Sequence, residues 1–506
     1  METAISQLEP ASFADFERET SNGNVVAVVK TLPGRTPSPV HTFARVAAQS
    51  DYAFLFESVE GREGVSKYSF IGSTPYMIVR GRGDQTLIER NGSIEIRREC
   101  ALEYIKQHFA ERKLARRFDL GPLTGGAVGY VGYRAARWFE PALKKHDEIR
   151  PDTDDTLLMF YRTLVVFDRA QQETKIVSVV FTGETQSGGG QLRELYNSAL
   201  SDIERIEKLV TASEPPASSG KSSPLSPKKS SVRSNRTRED FQEAVRNVKD
   251  RILAGDCYQV VLSQRFTRRV SADPLSIYRA LRTSNPAPYL YFLKLGDQSI
   301  IGASPEMLVR CRDRELEYRP IAGTRRRGSS EAEDLALAEE MRSDEKEVAE
   351  HMMLVDLGRN DLGRVAEYGS VRVEELMSVE RFSKVQHLVS SLRARLRDGC
   401  DRFDALAACF PAGTVTGAPK VKAMEIIRQL EPESRGVYAG AILYVDYDGN
   451  LDSCIAIRTI VIREGEASVQ AGAGIVADSV PEREFDETFY KAQAMLRAIE
   501  MAEYTR

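Results

Sequence analysis

Histidine and cysteine are sparse in this chain of 506 residues, and each scarcity excludes a class of chemistry. The five His are scattered singly and give no imidazole cluster of the kind that holds a transition metal. The six Cys (Cys100, Cys257, Cys311, Cys400, Cys409 and Cys454) contain no C-x-x-C pair. They read as reduced thiols in a reducing compartment, not as a zinc site or disulfide frame. No run of about 18 apolar residues occurs, so no membrane-spanning helix is expected. Met1 to Glu17 is acidic and lacks a long apolar stretch, unlike a signal or transit peptide, and the expected location is cytoplasmic. No G-x-x-x-x-G-K-[ST] sequence is present, which removes a P-loop ATPase. A net charge of -4 offers no electrostatic footprint for nucleic acid or an anionic membrane.

What is present is ordinary globular composition, 42% hydrophobic and 28% charged, long enough for about three domains on length alone. One segment breaks it. Residues 213–235 read SEPPASSGKSSPLSPKKSSVRSN and carry almost no large apolar side chains. Such a segment cannot bury enough surface to offset its ordering entropy and is expected to be a linker. It divides an N-terminal unit, residues 1–212, from a C-terminal unit, residues 236–506. Thr237-Arg-Glu-Asp240 gives the second unit a capping-box-like start, with Phe241, Val245, Val248 and Ile252 following at helical spacing.

Strand-like runs in the N-terminal unit include Ala53–Ser58, Tyr76–Gly81, Leu157–Asp168 and Thr174–Thr182. Those in the C-terminal unit include Tyr289–Leu295, Met307–Cys311, Ala439–Asp446, Ser453–Arg463 and Ala467–Gly472. Gly125 to Gly132 lacks the G-x-G-x-x-G spacing and is expected to be a tight turn between strands. Helices are predicted over Glu333–Leu357, Phe403–Phe410, Pro419–Leu430 and Pro481–Met501, the last opening at a capping box, Ser479-Val-Pro-Glu482. Short connections between neighbouring strands suggest mostly antiparallel sheets with helices packed outside.

Two of these helices carry matching acidic couplets, Glu347/Glu350 and Glu484/Glu487. A spacing of three puts both carboxylates of a couplet on one helix face. Such couplets can simply solvate a helix, and Lys491 could be no more than an i,i+4 partner of Glu487. If the two faces converge, a hard cation must sit between them, and Mg²⁺ leads because the ligands are all oxygen. Gln470-Ala-Gly-Ala-Gly474 is a candidate carboxylate cradle or a tight turn. Phe410 to Lys420 is a Gly/Thr-rich loop opening a helix, a place that favours an anion. The Arg319–Gly328 segment carries an Arg cluster that is either solvated or shields the acidic couplets.

Several segments then occur together and in one order: Gly302-Ala-Ser-Pro-Glu306, Arg319-Pro-Ile-Ala-Gly-Thr324, Glu350-His-Met-Met-Leu-Val-Asp-Leu-Gly-Arg-Asn-Asp361, Gly413-Thr-Val-Thr-Gly-Ala-Pro-Lys420 and Ala471-Gly-Ala-Gly474. With them the chain resembles the chorismate-utilising enzymes, most closely the anthranilate synthase component I branch, from about Arg236 to Arg497. The resemblance implies an α+β, four-layered α/β/β/α arrangement of two packed, mostly antiparallel sheets with outer helices, the N-terminal unit joining the same body. It implies a lyase that converts chorismate and ammonia to anthranilate and pyruvate. The metal would be Mg²⁺ on Glu350 and Glu487, with Glu347 and Glu484 nearby. Glu306 would be the general acid and His387 the residue of the elimination step, with Gln259 and Thr414 in the catalytic set. Tyr438, Arg458, Gly472, Ala473, Gly474, Lys491, Gly323 and Thr324 would bind substrate. Gln259 stands where water-adding relatives carry a Lys base, and Ala322 stands where aminodeoxychorismate synthases tend to carry a Lys. Aminodeoxychorismate synthase component I is the alternative enzyme, and a non-catalytic tryptophan-sensing subunit the alternative of another class.

Phe54-Leu-Phe-Glu57-Ser58 and Asn285-Pro-Ala-Pro288-Tyr289-Leu290 resemble the two elements of that branch's tryptophan feedback site, with Phe, Ala and Leu in place of its Leu, Ser and Met. The inhibitor residues implied are Glu57, Ser58, Pro288, Tyr289, Leu290 and Cys454, with Glu57 suited to the tryptophan ammonium. No segment matches a glutamine amidotransferase, so a separate partner subunit is expected to supply ammonia from glutamine.

Overall fold

The computed structural model describes residues 7–33, 36–58, 68–115, 121–144, 154–184, 189–212, 231–382 and 385–504. Runs rich in β-branched and aromatic residues form strands, and these assemble into two large antiparallel sheets. Period-two alternation gives the central strands two apolar faces. In Val25–Leu32, residues Val25, Ala27 and Val29 join the core between the sheets, while Val26 and Val28 join the core under the outer helices. Helices Pro39–Ala47, Gly189–Thr211, Pro274–Ser284 and Pro481–Tyr504 cover the first sheet, and Ala101–Ala110, Glu345–Gly363 and Arg402–Cys409 cover the second. The result is a four-layered α+β body.

Both sheets are shared by the two halves of the chain. In the first, Tyr52–Glu57 pairs with Tyr289–Leu295. In the second, Gly126–Val131 pairs with Ala441–Asp446. Most of the 213–235 linker lies outside the described residues. Its end is described, and there Arg233–Ser234 pairs with the edge of strand Gln259–Arg269.

Four local expectations change. Gly125 to Gly132 is not a turn: Gly126–Val131 is a fully buried central strand. A Cβ at Gly129 would stand 2.0 Å from the Leu157 carbonyl oxygen, and one at Gly126 would stand 2.1 Å from that of Val445, so glycine serves backbone approach here. The Leu157–Asp168 and Ser453–Arg463 runs each divide between the sheets. Thr156–Tyr161 and Leu451–Ile455 lie in the second sheet, Thr163–Asp168 and Thr459–Arg463 in the first. Alternation reads the same on both sides of such a corner, which is why the pattern hides it. Finally, the helix expected over Glu333–Leu357 is two, Glu331–Ser343 and Glu345–Gly363. Asp344 separates them because its side chain accepts the amides of Lys346 and Glu347 as an N-cap. The last helix, Pro481–Tyr504, is capped differently from expectation, since the Ser479 hydroxyl accepts the amide of Val476 instead of one inside the helix.

Candidate active site

Two corners between the sheets build the site. Pro305 and Glu306 join strand Gln298–Ser304 of the first sheet to Met307–Arg312 of the second, and residues 456–458 make the return crossing. The corners are tied together: the Ile455 amide donates to the Glu306 carbonyl at 3.0 Å, and the Ala303 amide donates to the Arg458 carbonyl at 3.2 Å. Between them lies a cavity of about 210 Å³ lined by Gln259, Glu306, Glu350, Thr414, Tyr438, Arg458, Gly472 and Lys491, together with apolar walls from Ile321, Leu354, Ile457 and Met495.

The electrostatics of this cavity are unusual. Glu306 is buried, and desolvation pushes its carboxyl up to about 8, against smaller lowering effects from Thr414 and Lys491. Burial alone does this, with no second carboxylate needed. The Thr414 hydroxyl lies beside it yet closes no well-formed hydrogen bond among the described residues, which leaves it available. Arg458 has no ion-pair partner among the described residues, and loss of hydration lowers its pKa despite the neighbouring Tyr438. Its backbone is left-handed, φ +51°, a conformation that costs energy for a side chain of this kind. Tyr438, raised to about 12 by burial, keeps its proton.

Gly472 and Gly474 lie in strand Glu466–Ile475, not in a turn. Thr459–Arg463 pairs with this strand only as far as Val469, so one edge is open from Gln470 onward. The Val261 amide opposite Gly474 donates away, to Thr416, so Gly474 and Gly472 turn their own backbone groups to the open edge. The Gly472 carbonyl there accepts Lys491 at 3.1 Å. Side chains would close the space: a Cβ at Gly474 would meet Gln259 Nε2 at 2.6 Å, and one at Gly472 would meet Tyr438 Oη at 2.8 Å. Ala473, by the alternation, faces the core with Leu262 and Ile475.

His387 lies beside the cavity on strand Val385–Arg395, opposite Thr324. Its Nδ1 is 2.9 Å from the Gly323 carbonyl and 3.1 Å from Thr324 Oγ1. A carbonyl only accepts, so Nδ1 carries the proton and Nε2 is a free base. Burial first, then Arg458, lowers its pKa against the Gly323 bond, so the ring is neutral at pH 7. Gly323 is itself left-handed, φ +68°, and sits at an irregularity in the strand pairing that turns this segment toward Glu347.

The acidic couplets face one another. Glu350 stands exposed at the mouth of the recess, yet enough protein surrounds it that desolvation raises its pKa, followed by the charges of Glu347 and Glu487. Glu484 is raised by burial and then by Glu487, against a lowering contact with Ser479. Arg325 takes Glu347 at 2.8 Å and Lys491 takes Glu487 at 2.7 Å. Among the described residues no three His, Cys, Asp or Glu side chains stand close enough together to cage an ion. The donor set is all carboxylate and repels itself. That suits a hard cation taking one or two protein oxygens and completing its shell with water and an anionic substrate.

A second cavity, about 70 Å³, lies between the sheets and brings together Glu57, Ser58, Pro288, Tyr289, Leu290 and Cys454 with Tyr291, Arg310, Arg312 and Asp452. Both oxygens of Glu57 are already engaged: Oε2 by Tyr278 at 2.7 Å and Arg282 Nε at 2.9 Å, Oε1 by Arg282 Nη2 and Arg169 at 3.3 Å. The buried Ser58 hydroxyl has no partner among the described residues.

The chain matches the family described as chorismate binding enzyme over residues 51–497. The chain belongs to the chorismate binding enzyme family. Within that family it is 44% identical to anthranilate synthase component 1 of Acetivibrio thermocellus, over 95% of this chain and 96% of the relative. It is 43% identical to that of Pseudomonas aeruginosa, over 92% and 94%. Among solved structures, anthranilate synthase component I of Streptococcus pneumoniae matches with a TM-score of 0.73 and 36% identity, covering 86% of this chain and 93% of that one. The menaquinone-specific isochorismate synthase of Escherichia coli, 19% identical with a TM-score of 0.68 over 94% and 95%, shares the fold.

Sequence reasoning missed some residues that shape this cavity and its surroundings. Gln470 lines it, its amide held at 2.8 Å by the Ser263 hydroxyl. Lys420, half-buried, pairs with the buried Asp361 at 2.9 Å and fastens the Gly/Thr-rich loop to the helix bearing Glu350. Both residues lie inside segments already singled out, but side-chain direction could not be read there. The Arg cluster is paired: Arg325 also takes Glu340 and Asp344, while Arg326 and Arg327 take Glu333 and Asp334. No helix among the described residues is long and apolar enough to cross a membrane.

Proposed function

We propose that the chain is the large subunit of an anthranilate synthase, converting chorismate and ammonia to anthranilate and pyruvate. The observation that carries this reading is a buried Glu306 with a pKa of about 8 facing an unpaired Arg458 in one cavity, in a chain whose relatives carry that name over nearly their whole length. Arg458 and the open-edge amides of Gly472 and Gly474 suit the enolpyruvyl carboxylate, with Tyr438 as a neutral donor beside them. Glu306, protonated at pH 7, gives its proton to the departing C4 hydroxyl as ammonia bonds to C2, and water leaves. His387 Nε2 then takes the C2 proton. The enolpyruvyl C–O bond breaks with pyruvate as the leaving group, and the ring becomes aromatic. Gln259 cannot take a proton at neutral pH, which disfavours water as the nucleophile, and Ala322 cannot form a covalent bond to substrate.

The couplets Glu347/Glu350 and Glu484/Glu487 would hold Mg²⁺, which when bound offsets the charge of the ring carboxylate. Ammonia would come from a glutamine-hydrolysing partner subunit, and tryptophan would inhibit from the second cavity. The test is direct. Purified chain with chorismate, Mg²⁺ and ammonium salt should generate anthranilate fluorescence, and glutamine should replace ammonium only when the partner is added. A para-aminobenzoate precursor or an unaromatised amino acid as the sole product would overturn the assignment.

A further inference from the structure

The glycine of the Gly302-Ala-Ser-Pro-Glu306 motif sits between Tyr291, which lines the second cavity, and Thr459, next in sequence to Arg458 of the first. Tyr291, Gly302 and Thr459 stand opposite one another on three adjacent strands of the first sheet. A Cβ at Gly302 would lie 2.1 Å from the Tyr291 ring, so the ring crosses the face that glycine leaves bare. Its hydroxyl reaches Thr459 Oγ1 at 2.6 Å. Thr459 has one hydroxyl proton and gives it to the Ile457 carbonyl at 2.9 Å, so Tyr291 is the donor of the pair. Ile457 and Thr459 flank Arg458. The same turn is tied by the Ile457 amide to the Ile455 carbonyl at 2.9 Å and by the Arg458 carbonyl to the Ala303 amide. These bonds hold the left-handed backbone that aims an unpaired guanidinium into the catalytic cavity. Tyr291 also lines the second cavity, beside Tyr289 and Leu290.

We propose that Tyr291, Gly302 and Thr459 are positioning residues for Arg458, and that through Tyr291 the occupation of the second cavity is felt at the carboxylate-binding end of the first. This rests on the proposed roles of Arg458 and of the second cavity. A ligand that displaces the Tyr291 ring takes away the donor of Thr459, loosens the turn and weakens substrate binding. By linkage, substrate bound at Arg458 weakens that ligand by the same factor.

Thr459→Val keeps the shape and removes the hydroxyl. It should raise KM for chorismate about tenfold with kcat within about twofold, and Thr459→Ser should restore KM, a rescue that general loss of packing would not show. Tyr291→Phe keeps the ring. It should still bind L-tryptophan by calorimetry, while the ratio of chorismate KM with and without saturating L-tryptophan falls toward one. Wild-type KM in Thr459→Val overturns the positioning role, and a wild-type KM ratio in Tyr291→Phe overturns the coupling. Absence of L-tryptophan binding to the wild-type chain overturns the reading of the second cavity and the coupling with it, while the Thr459 pair still judges the positioning of Arg458.

Discussion

In the cavity between the sheets, Glu57 is met by Tyr278, Arg169 and Arg282, and Asp452 by Arg310 at 2.7 Å and Tyr289 at 3.1 Å. In the cavity at the sheet corners, neither Glu306, with the Thr414 hydroxyl and Lys491 nearby, nor Arg458 has an ion-pair partner among the described residues. The same residue types are used in opposite ways. Pairing fixes a buried charge in one place and one protonation state. Leaving it unpaired keeps a carboxyl protonated near neutral pH and a guanidinium short of a partner, and both are states a substrate can exploit. Chemistry in this fold belongs at the corners, where strands leave one sheet for the other and side chains cannot be neutralised by cross-strand neighbours.

Glu306→Gln should lower kcat by about a thousandfold, within the range for loss of a general acid, with KM changed little. Unchanged turnover of chorismate would remove Glu306 from the acid role. Arg458→Met should lower kcat/KM by roughly a hundredfold, about 2.7 kcal/mol, mainly through KM, since a charged hydrogen-bond partner of a carboxylate is lost. An equal loss confined to kcat would contradict a binding role. A smaller effect comes from pH. The acid form of Glu306 is lost as pH rises through about 8, so kcat/KM should fall about tenfold per unit above that value, and a flat profile to pH 10 would sink the assignment. Stability has its own sign. A folded pKa of about 8 against an ordinary 4.5 means the native state binds the proton more tightly. The contribution of Glu306 is therefore fully present below about 4.5 and is lost as pH rises to about 8. Glu306→Gln should accordingly melt higher than wild type at pH 9, and the gap should close toward pH 4. The smallest effect belongs to the paired cavity. Ser58→Ala removes an unpartnered buried hydroxyl and should shift stability by no more than about 1 kcal/mol, while weakening L-tryptophan binding in calorimetry.

Much of this was legible in the chain. Helix spacing put Glu347 with Glu350 and Glu484 with Glu487, and the ordered motifs carried the resemblance from which the layered fold and the identities of Glu306, His387 and Arg458 followed. What failed did so for definable reasons. Gly126–Val131 reads as a turn because glycine is a turn former, and only the proximity of Leu157 and Val445 shows it serving a crowded strand. Leu157–Asp168 reads as one strand because a corner at Arg162 leaves alternation intact. The partners of Glu57 could not be read at all, because Tyr278, Arg169 and Arg282 come from distant segments.

Taken alone, the sequence determined the composition class, the helix faces, the strand runs and the motif residues, because these depend on local period and residue type. Tertiary structure decided which charges are paired, since pairing depends on what distant strands bring within reach. It alone produced a protonated Glu306 and an Arg458 with no ion-pair partner among the described residues, because desolvation is a property of the assembled corner between two sheets and of no single segment.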